Sequence, residues 1–212
     1  MNEKFFKLDS EKQERILNAA LNEFASFGYD KASTNNIVKN AGISKGLLFH
    51  YFNSKKELYY FLYNYSVDYA IEKFNGEMDY QEKDLLLFLE KTLFIKIQLM
   101  RKYPNLFNFF ISCYMDTAKE AKELNIMNDA RALELKNNAY KHMDYTLFRE
   151  DMDFARMMAT IEGTLEQFST NEMRKLQITG GELDLDYMYN EITAYTAMFR
   201  RLFYKPEHGG GK

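Results

Sequence analysis

Residues that interrupt helices are scarce in this chain. Only two prolines and ten glycines occur among 212 residues, and three of the glycines fall in the terminal stretch HGGGK. Proline removes a backbone donor, and glycine raises the entropic cost of ordering a helix, so a chain with few of either can sustain long helices. Hydrophobic residues make up 46% of the sequence, which is enough for a sizeable core. The composition therefore predicts a nearly all-helical globular protein.

The cysteine and histidine content excludes several classes of protein. The single cysteine, Cys113, cannot form an intramolecular disulfide, and the three histidines, His50, His142 and His208, are scattered. No His or Cys spacing is typical of a metal site, and the sequence has neither a glycine-rich phosphate loop nor a nucleophile elbow. We therefore predict no enzyme, no cofactor and no metal. Cys113 lies in an apolar run and is interpreted as a small buried hydrophobe, with a redox-sensing thiol as the alternative.

No stretch of the sequence is long and apolar enough to predict a membrane span. The most apolar segment, residues 84–100, is interrupted by Glu90, Lys91 and Lys96, whereas a membrane helix needs roughly 20 mostly apolar residues. The first residues, MNEKFFKLDSEKQ, contain no apolar stretch typical of a signal peptide. We therefore expect a cytoplasmic protein with no membrane partner.

The first sixty residues carry the clearest signals for helix starts and ends. Capping residues and glycines there predict four successive helices, of which the second and third are short and joined by a glycine turn. Predicted starts fall at Ser10 (with Gln13), Thr34, Ser44 and Ser54 (with Glu57), and predicted ends fall at Gly28 and Gly42. Two short helices joined by a glycine-containing turn are typical of a helix-turn-helix.

The same stretch is unusual in its charge. From Lys31 to Lys56 the chain carries five lysines and no acid, although its net charge is −3. On a helix starting at Ser44, Gly46 and His50 would face outward between apolar and aromatic neighbours. Such a surface is unusual for a region exposed only to solvent. A DNA major groove would account for it, because lysines neutralise phosphates, acids would be repelled, and a bare glycine permits close approach. A solvated face, or an adaptor surface for an acidic protein partner, is the alternative.

At these residues the sequence resembles the DNA-binding domain of the TetR family of bacterial regulators. The matching string is ILNAALNEFASFGYDKASTNNIVKNAGISKGLLFHYFNSKKEL, and its order and spacings match over roughly residues 10–60. The resemblance implies an all-α protein with an N-terminal three-helix helix-turn-helix domain (1–56), a C-terminal helical effector-binding and dimerisation domain (57–206) and a flexible tail (207–212). It also implies a homodimeric repressor that binds a palindromic DNA operator and is released by a small lipophilic effector. A TetR-like activator stays open as an alternative.

The resemblance assigns roles to individual residues. Thr34 would bond a phosphate, Lys45 would reach the major groove or its phosphates, Tyr51 would contact the DNA backbone, and Lys55 would clamp a phosphate. For Thr34 and Ser44, a purely structural role as helix caps is the alternative. The full predicted DNA-binding set is Thr34, Asn35, Ser44, Lys45, Gly46, Leu47, Phe49, His50, Tyr51 and Lys55.

Two positions depart from the family pattern. Leu47 stands where the family often has Thr, and Phe49 where it usually has Tyr, so each lacks a hydroxyl that would bond a phosphate. An apolar Leu47 in the groove would touch a thymine methyl and favour an A·T-containing half-site. Packing of Leu47 sideways on the fourth helix is the alternative. His50 would bond a base or a phosphate, or would be an exposed bystander.

The middle of the chain is rich in aromatic residues and methionine, with 18 Phe, 16 Tyr and 12 Met overall. Many of them crowd residues 85–115, where the resemblance implies an apolar cavity for an effector. A plain hydrophobic core is the alternative. The predicted effector-binding residues are Phe88, Phe94, Met100, Phe107, Phe110 and Tyr114.

Two amphipathic helices are predicted near the end of the chain, at 154–168 and 187–204. In the family that this sequence resembles, the corresponding helices pair with their copies in a four-helix dimer interface, whereas packing within the domain is the alternative. The predicted interface residues are Met158, Ile161, Leu165, Phe168, Ile192, Tyr195 and Phe199. A two-fold dimer would read two half-sites about 34–36 Å apart, or a multiple of that spacing.

Overall fold

The part of the protein that the structure describes consists mainly of helices joined by short connections. This structure, a computed structural model, describes residues 3–209, apart from the side chain of Gln177. In chain order the helices are α1 (Glu3–Phe6), α2 (Ser10–Lys31), α3 (Thr34–Ala41), α4 (Lys45–Phe52), α5 (Lys55–Glu77), α6 (Leu85–Lys102), α7 (Pro104–Met115), α8 (Lys119–Tyr140), α9 (Phe154–Thr179), α10 (Leu185–Phe203) and α11 (Pro206–Gly209). A single 3-10 turn, Tyr145–Leu147, lies between α8 and α9. The predicted all-α class is confirmed.

Glycine ends or bends the helices where the sequence predicts. Gly28 has φ 66° and kinks α2 before its last turn. A side chain there would also meet the carboxylate of Asp116, whose Oδ2 lies 2.8 Å from the position of a Cβ. Gly42 adopts the left-handed conformation, with φ 66° and ψ 38°, in the turn between α3 and α4. Both positions therefore require the freedom of glycine.

Two of the four predicted helix starts are correct, and two are displaced by one residue. Ser44 accepts a hydrogen bond from the Leu47 N–H, and Ser54 accepts one from the Glu57 N–H, as capping residues do. The cap of α2 is Asp9 rather than Ser10, because the Asp9 carboxylate accepts the Lys12 N–H at 2.8 Å. The cap position of α3 is held by Ser33, and Thr34 is the first helical residue.

Contacts divide the chain into two compact units. One comprises Met1–Gly76 with Leu99–Leu133, and the other comprises Glu77–Gln98 with Glu134–Lys212. The sequence predicts a division by function, into a DNA-binding domain (1–56) and an effector-binding and dimerisation domain (57–206). This division stays a prediction. Of the predicted tail, residues 207–209 belong to α11, and residues 210–212 lie outside the described residues.

The core of the first unit surrounds α2 and holds the short helices in place. Phe24 is fully buried, with its ring centroid 4.8 Å from that of Tyr59. Ile37 of α3 and Leu48 and Phe52 of α4 belong to the same buried cluster. Burying one such side chain contributes roughly 1.5–3 kcal/mol. This packing fixes which sides of α3 and α4 remain outside.

The second unit combines a small apolar cluster with a half-buried ion pair. Ile97, Phe168, Met188 and Ile192 form the cluster. Elsewhere in this unit, Asp84 caps the start of α6 and accepts two hydrogen bonds from Arg200, at 2.6 and 3.1 Å, and one from the Tyr204 hydroxyl, at 2.8 Å.

The environment of Asp84 keeps its carboxylate ionised. Burial by itself would raise the pKa of this group, but the hydrogen bonds from Arg200, from the Leu87 N–H and from the Tyr204 hydroxyl outweigh that effect, so the pKa is lowered. The pair therefore ties the start of α6 to the end of α10 as long as Asp84 carries its charge.

Candidate nucleic-acid interface

The turn between α3 and α4 is closed by backbone hydrogen bonds. The Gly42 N–H donates to the Lys39 carbonyl at 3.3 Å, and the Ile43 N–H donates to the Val38 carbonyl at 3.0 Å. Ser44 then caps α4, with its hydroxyl oxygen 3.2 Å from the Leu47 nitrogen. The two short helices are thus joined as a helix-turn-helix, as the sequence predicts.

The outward side of α4 is open to solvent and free of acidic side chains. Lys45, Gly46 and His50 are exposed, whereas Leu48 and Phe52 on the opposite side are buried. A Cβ placed on Gly46 would meet nothing within 4 Å, so the backbone here is accessible to a partner. Asn35 on α3 and Ser44 before α4 are exposed as well, and Thr34 is half-buried.

Tyr51, which the resemblance predicts to contact the DNA backbone, is buried in the folded chain, and the predicted contact stays a prediction. Tyr51 is only 8% exposed, because its ring lies edge-on against Phe5 of α1, with the centroids 6.2 Å apart. Phe5 itself is fully buried and also contacts Phe52. Laying α4 out alone places Tyr51 on the outside, but α1 covers it. A contact of Tyr51 with the DNA backbone would require this covering to move.

The two positions that depart from the family pattern are both half-buried. Leu47 packs against the core cluster of the first unit, so part of its side chain is used inside the protomer, and both its contact with a base and the alternative of sideways packing on the fourth helix stay predictions. Phe49 lies at the edge of α4 with the Lys45 Nζ 6.0 Å from its ring centroid. Leu47 therefore has less apolar surface available for a base than a fully exposed leucine would have.

The five lysines between residues 31 and 56 fall into two groups. Lys31, Lys39 and Lys45 are exposed, and within residues 3–209 none of the three forms an ion pair. Their charges are available to a polyanion, as the lack of acids in the sequence predicts.

The other two lysines have partners in the folded chain. Lys55 donates to the Asp30 carbonyl at 3.1 Å and lies over the ring of Tyr29. Lys56 lies 3.7 Å from Glu120 and 3.6 Å from Glu123, both on α8. Acidic residues that are distant in the sequence therefore lie close to Lys56 in the folded chain. To bind a phosphate as predicted, Lys55 would have to give up its hydrogen bond to the Asp30 carbonyl.

One residue that the sequence reasoning missed is Glu23. This acid on α2 is only 6% exposed and is the one carboxylate among the described residues that is classed as buried. It accepts a hydrogen bond from the Ser33 N–H at 2.8 Å and another from the Asn36 side-chain amide at 3.2 Å. Its helical spacing from Ala19 and Ala20 places it on the apolar side of α2. This spacing is the signal in the sequence that could have identified Glu23 as a buried residue.

The predicted effector-binding residues are not gathered into one compact unit. Phe88 and Phe94 belong to the second unit, whereas the other four belong to the first: Met100, Phe107, Phe110 and Tyr114. Phe94 is 44% exposed and Tyr114 is 60% exposed. The assignment of these residues to an effector cavity stays a prediction.

Most of the predicted dimer residues serve the core of a single protomer. Ile161, Phe168, Ile192 and Phe199 are buried within one protomer, as the alternative of packing within the domain expects, and their assignment to a dimer interface stays a prediction. The remaining three are half-buried: Met158, Leu165 and Tyr195. Two of the predicted residues, Phe168 and Tyr195, also line a shallow groove of about 490 Å³ beside α9. Its other lining residues are Ala159, Thr160, Gly163, Thr164, Gln167 and Asn171.

Cys113 lies in an environment that suppresses thiol reactivity. It is 1% exposed, and its sulfur accepts a hydrogen bond from the Tyr59 hydroxyl at 3.0 Å. Burial raises the pKa of the thiol to about 12, so the reactive thiolate is rare at neutral pH.

Among the described residues, no group of three His, Cys, Asp or Glu side chains could hold a metal ion. No described helix is long and apolar enough to cross a membrane.

The fold of the described residues is that of an all-helical protein, and α3, the turn and α4 form a helix-turn-helix near its N-terminus. Residues 16–60 match the family model described as "Bacterial regulatory proteins, tetR family". Over this segment the chain is similar to the tetR family of bacterial regulatory proteins, the family that the sequence resembles. The relatives that it matches are regulators rather than enzymes.

Two curated relatives match the helix-turn-helix end of the chain. The Bacillus subtilis protein "Uncharacterized HTH-type transcriptional regulator YvdT" is 46% identical over 52 residues, which are 24% of this chain and 27% of that protein. The Mycobacterium tuberculosis protein "HTH-type transcriptional repressor Rv1474c" is 37% identical over 51 residues, again 24% of this chain and 27% of that protein. Each match therefore spans about a quarter of the relative's length.

The likeness of fold extends along the chain. A crystal structure of a TetR family transcriptional regulator from Chloroflexus aurantiacus has a TM-score of 0.62, with 96% of this chain and 98% of that chain covered. The sequence identity is 23%, so this likeness is one of fold. It supports an N-terminal helix-turn-helix domain followed by a helical domain.

Proposed function

We propose that this protein is a transcriptional regulator that binds double-stranded DNA through α3, the turn and α4. The observation that carries the proposal is the outward side of α4, which exposes Lys45, Gly46 and His50 without an acidic side chain. Lys31 and Lys39 add two exposed charges close by in the sequence. Such a surface suits a groove bordered by phosphates, where cations release counterions and carboxylates would be repelled. We place this activity in the cytoplasm, where bacterial DNA is accessible.

We propose further that the protein acts as a homodimer. One eight-residue helix reads few base pairs, so specificity requires a second copy and a second half-site. The groove beside α9 supports this assembly, because Ala159, Gly163 and Thr164 are small and would let a second helix approach closely. The buried residues Ile161 and Phe168 would support that surface from within rather than form it.

The regulation that we propose is repression relieved by a small lipophilic effector. The name of the Mycobacterium tuberculosis relative, a transcriptional repressor, supports repression over activation. Effector binding would favour a conformer whose two α4 helices no longer match the half-site spacing. To change operator occupancy from nearly full to nearly empty, the effector must prefer that conformer about 10⁴-fold.

Selection of bound sequences from random DNA duplexes tests the proposed function. We expect an enriched two-fold symmetric sequence whose half-sites are centred about 10 base pairs apart, or a multiple of that spacing. The full-length protein should sediment as a dimer at micromolar concentration. Failure to enrich any sequence at low salt would contradict DNA recognition, and a monomer that still bound a symmetric site would contradict the dimer.

A further inference from the structure

The start of α3 lacks a cap from its own sequence. Ser33 holds the cap position with extended backbone angles, φ −109° and ψ 117°, but its side chain makes no capping hydrogen bond. Helix starts carry backbone N–H groups without intrahelical partners, and a capping box normally satisfies the N–H of the cap residue with an acidic side chain three positions later. Here that later position is Asn36, whose amide group donates its hydrogen bond elsewhere.

Glu23 supplies from α2 the acceptor that α3 itself lacks. Its Oε1 takes the Ser33 N–H at 2.8 Å and the Asn36 side-chain N–H at 3.2 Å, so one carboxylate joins the cap position to the first turn. A buried carboxylate is costly unless donors satisfy it, and both donors come from the start of α3. Its negative charge also lies at the helix end that favours one.

We infer that Glu23 is a positioning residue for DNA recognition, which fixes the first turn of α3 without touching DNA. The inference rests on the proposed function. Thr34 and Asn35, the residues predicted to meet the DNA, follow directly after Ser33. Their backbone positions therefore depend on the anchor at Glu23. Loss of the anchor would free this turn while leaving α4 and the exposed lysines in place.

This role predicts an effect on selectivity that a general loss of charge or stability would not produce. Non-specific binding follows the number of phosphates neutralised, whereas binding in register also needs correctly placed side chains at the groove edge. Removing the anchor should therefore weaken binding to the preferred sequence more than binding to an arbitrary one. Glutamine at this position keeps an acceptor oxygen and should retain most of the selectivity.

The test compares two duplexes and three variants of the full-length protein. The duplexes are the sequence enriched by selection with the unaltered protein and a scrambled sequence of equal length and composition. For Glu23→Leu, we expect affinity for the enriched duplex to fall about tenfold, with the scrambled duplex changed about twofold or less. Glu23→Gln should stay within about threefold on both. Glu14→Leu removes the same charge from an exposed position on α2 and should change neither.

Amide hydrogen exchange without DNA provides a readout that does not require binding. Glu23→Leu should exchange faster at Ser33 and in the first turn of α3, while α4 keeps its protection. Asn36→Ala, an exposed position, serves if Glu23→Leu fails to fold, and it should speed exchange in the same turn and lower the selectivity about threefold.

Several results would overturn the inference. These are unchanged selectivity in Glu23→Leu, an equal loss on both duplexes, an equal loss in Glu23→Gln and Glu23→Leu, or unchanged exchange in α3. If the unaltered protein binds no duplex, the proposed function fails instead, and hydrogen exchange still decides whether Glu23 anchors α3.

Discussion

The outward sides of α4 and α9 are both exposed in a single protomer, but they differ in chemistry. The side of α4 carries Lys45 and His50 next to a bare glycine and no acid. The side of α9 carries small and uncharged residues, among them Ala159 and Gly163. Buried residues support each one from within, such as Leu48 in α4 and Ile161 in α9.

The difference teaches that exposure alone does not identify a partner, whereas the chemistry of the exposed side chains does. Unpaired cations beside an accessible backbone suit a polyanion, because they neutralise its phosphates and release the bound counterions. A helix side made of small, uncharged groups allows the axis of another helix to approach closely. We therefore propose DNA as the partner of α4 and a second copy of the chain as the partner of α9, and the following predictions test that proposal.

The largest effect should come from placing a charge on α9. A Cβ at Gly163 would meet nothing within 4 Å in the protomer, so Gly163→Glu should not disturb the fold of one chain. In a dimer it would bury an unpaired carboxylate, at a cost of about 3–5 kcal/mol, which weakens association more than a hundredfold. Sedimentation equilibrium measures this change. Gly76→Glu, at another glycine with open surroundings, is the control, and an unaltered dimer in Gly163→Glu would refute the assignment.

The stability of the second compact unit, which contains α9, should be more sensitive to acid than that of the unit containing α4, because Asp84 lies in the second unit. Because the pKa of Asp84 is lowered in the folded chain, its contribution to stability is complete above its usual pKa of about 4. That contribution is lost as pH falls through the lowered pKa. Asp84→Asn should cost about 2–3 kcal/mol at pH 7, measured by urea unfolding.

The pH dependence separates this contribution from those of other acids. The stability difference between the unaltered protein and Asp84→Asn should shrink as the pH falls below about 4, because the unaltered carboxylate becomes protonated in acid. Arg200 keeps its charge throughout this range, so it remains a donor in both proteins. A difference that stayed constant with pH would show that the charge of Asp84 is not what stabilises the fold.

A smaller effect should separate two lysines of the basic segment. Lys45 is exposed without an ion pair among the described residues, whereas Lys56 already lies near Glu120 and Glu123. Lys45→Ala should lower DNA affinity about tenfold and reduce the salt slope by about one per protomer. Lys56→Ala should change the slope much less, as judged by fluorescence anisotropy at several salt concentrations. Equal slopes for the two variants would show that the ion pairs of Lys56 open on binding.

The smallest effect concerns base preference at Leu47. If its exposed part touches a thymine methyl, one position of the half-site should prefer an A·T pair. Leu47→Thr should relax that preference by about fivefold, near the lower limit for one mismatched base pair, because Leu47 is already half-buried in the core. Selection with both proteins measures it. A half-site without any thymine preference would contradict the contact.

Local signals in the sequence predict the helix-turn-helix well, and distant partners account for the errors. Gly42 and Ser44 depend on their immediate neighbours, and both behave as predicted. Tyr51 is covered by Phe5, 46 positions away in the sequence, and the start of α3 is anchored by Glu23. Nothing within α3 or α4 indicates either partner, so a helix laid out alone could not show them.

The C-terminal helices show a different limit. Apolar residues at helical spacing identify the side of a helix that is buried, but not whether the same chain or a copy buries it. The stripe containing Ile161 and Phe168, which the resemblance assigns to a dimer surface, is buried within one protomer, and its role in a dimer stays a prediction. Helix α9 continues to Thr179, beyond the apolar pattern of residues 154–168, and its last turns are polar and lack the apolar spacing.

The salt dependence of DNA binding by the unaltered protein tests the central assignment most directly. Lys31, Lys39 and Lys45 on two protomers would give about six phosphate contacts. The logarithm of the affinity for the selected duplex should then fall linearly with the logarithm of salt concentration, with a slope of about −5. Absence of binding to double-stranded DNA at low salt, or binding that salt does not weaken, would contradict a groove contact by α4.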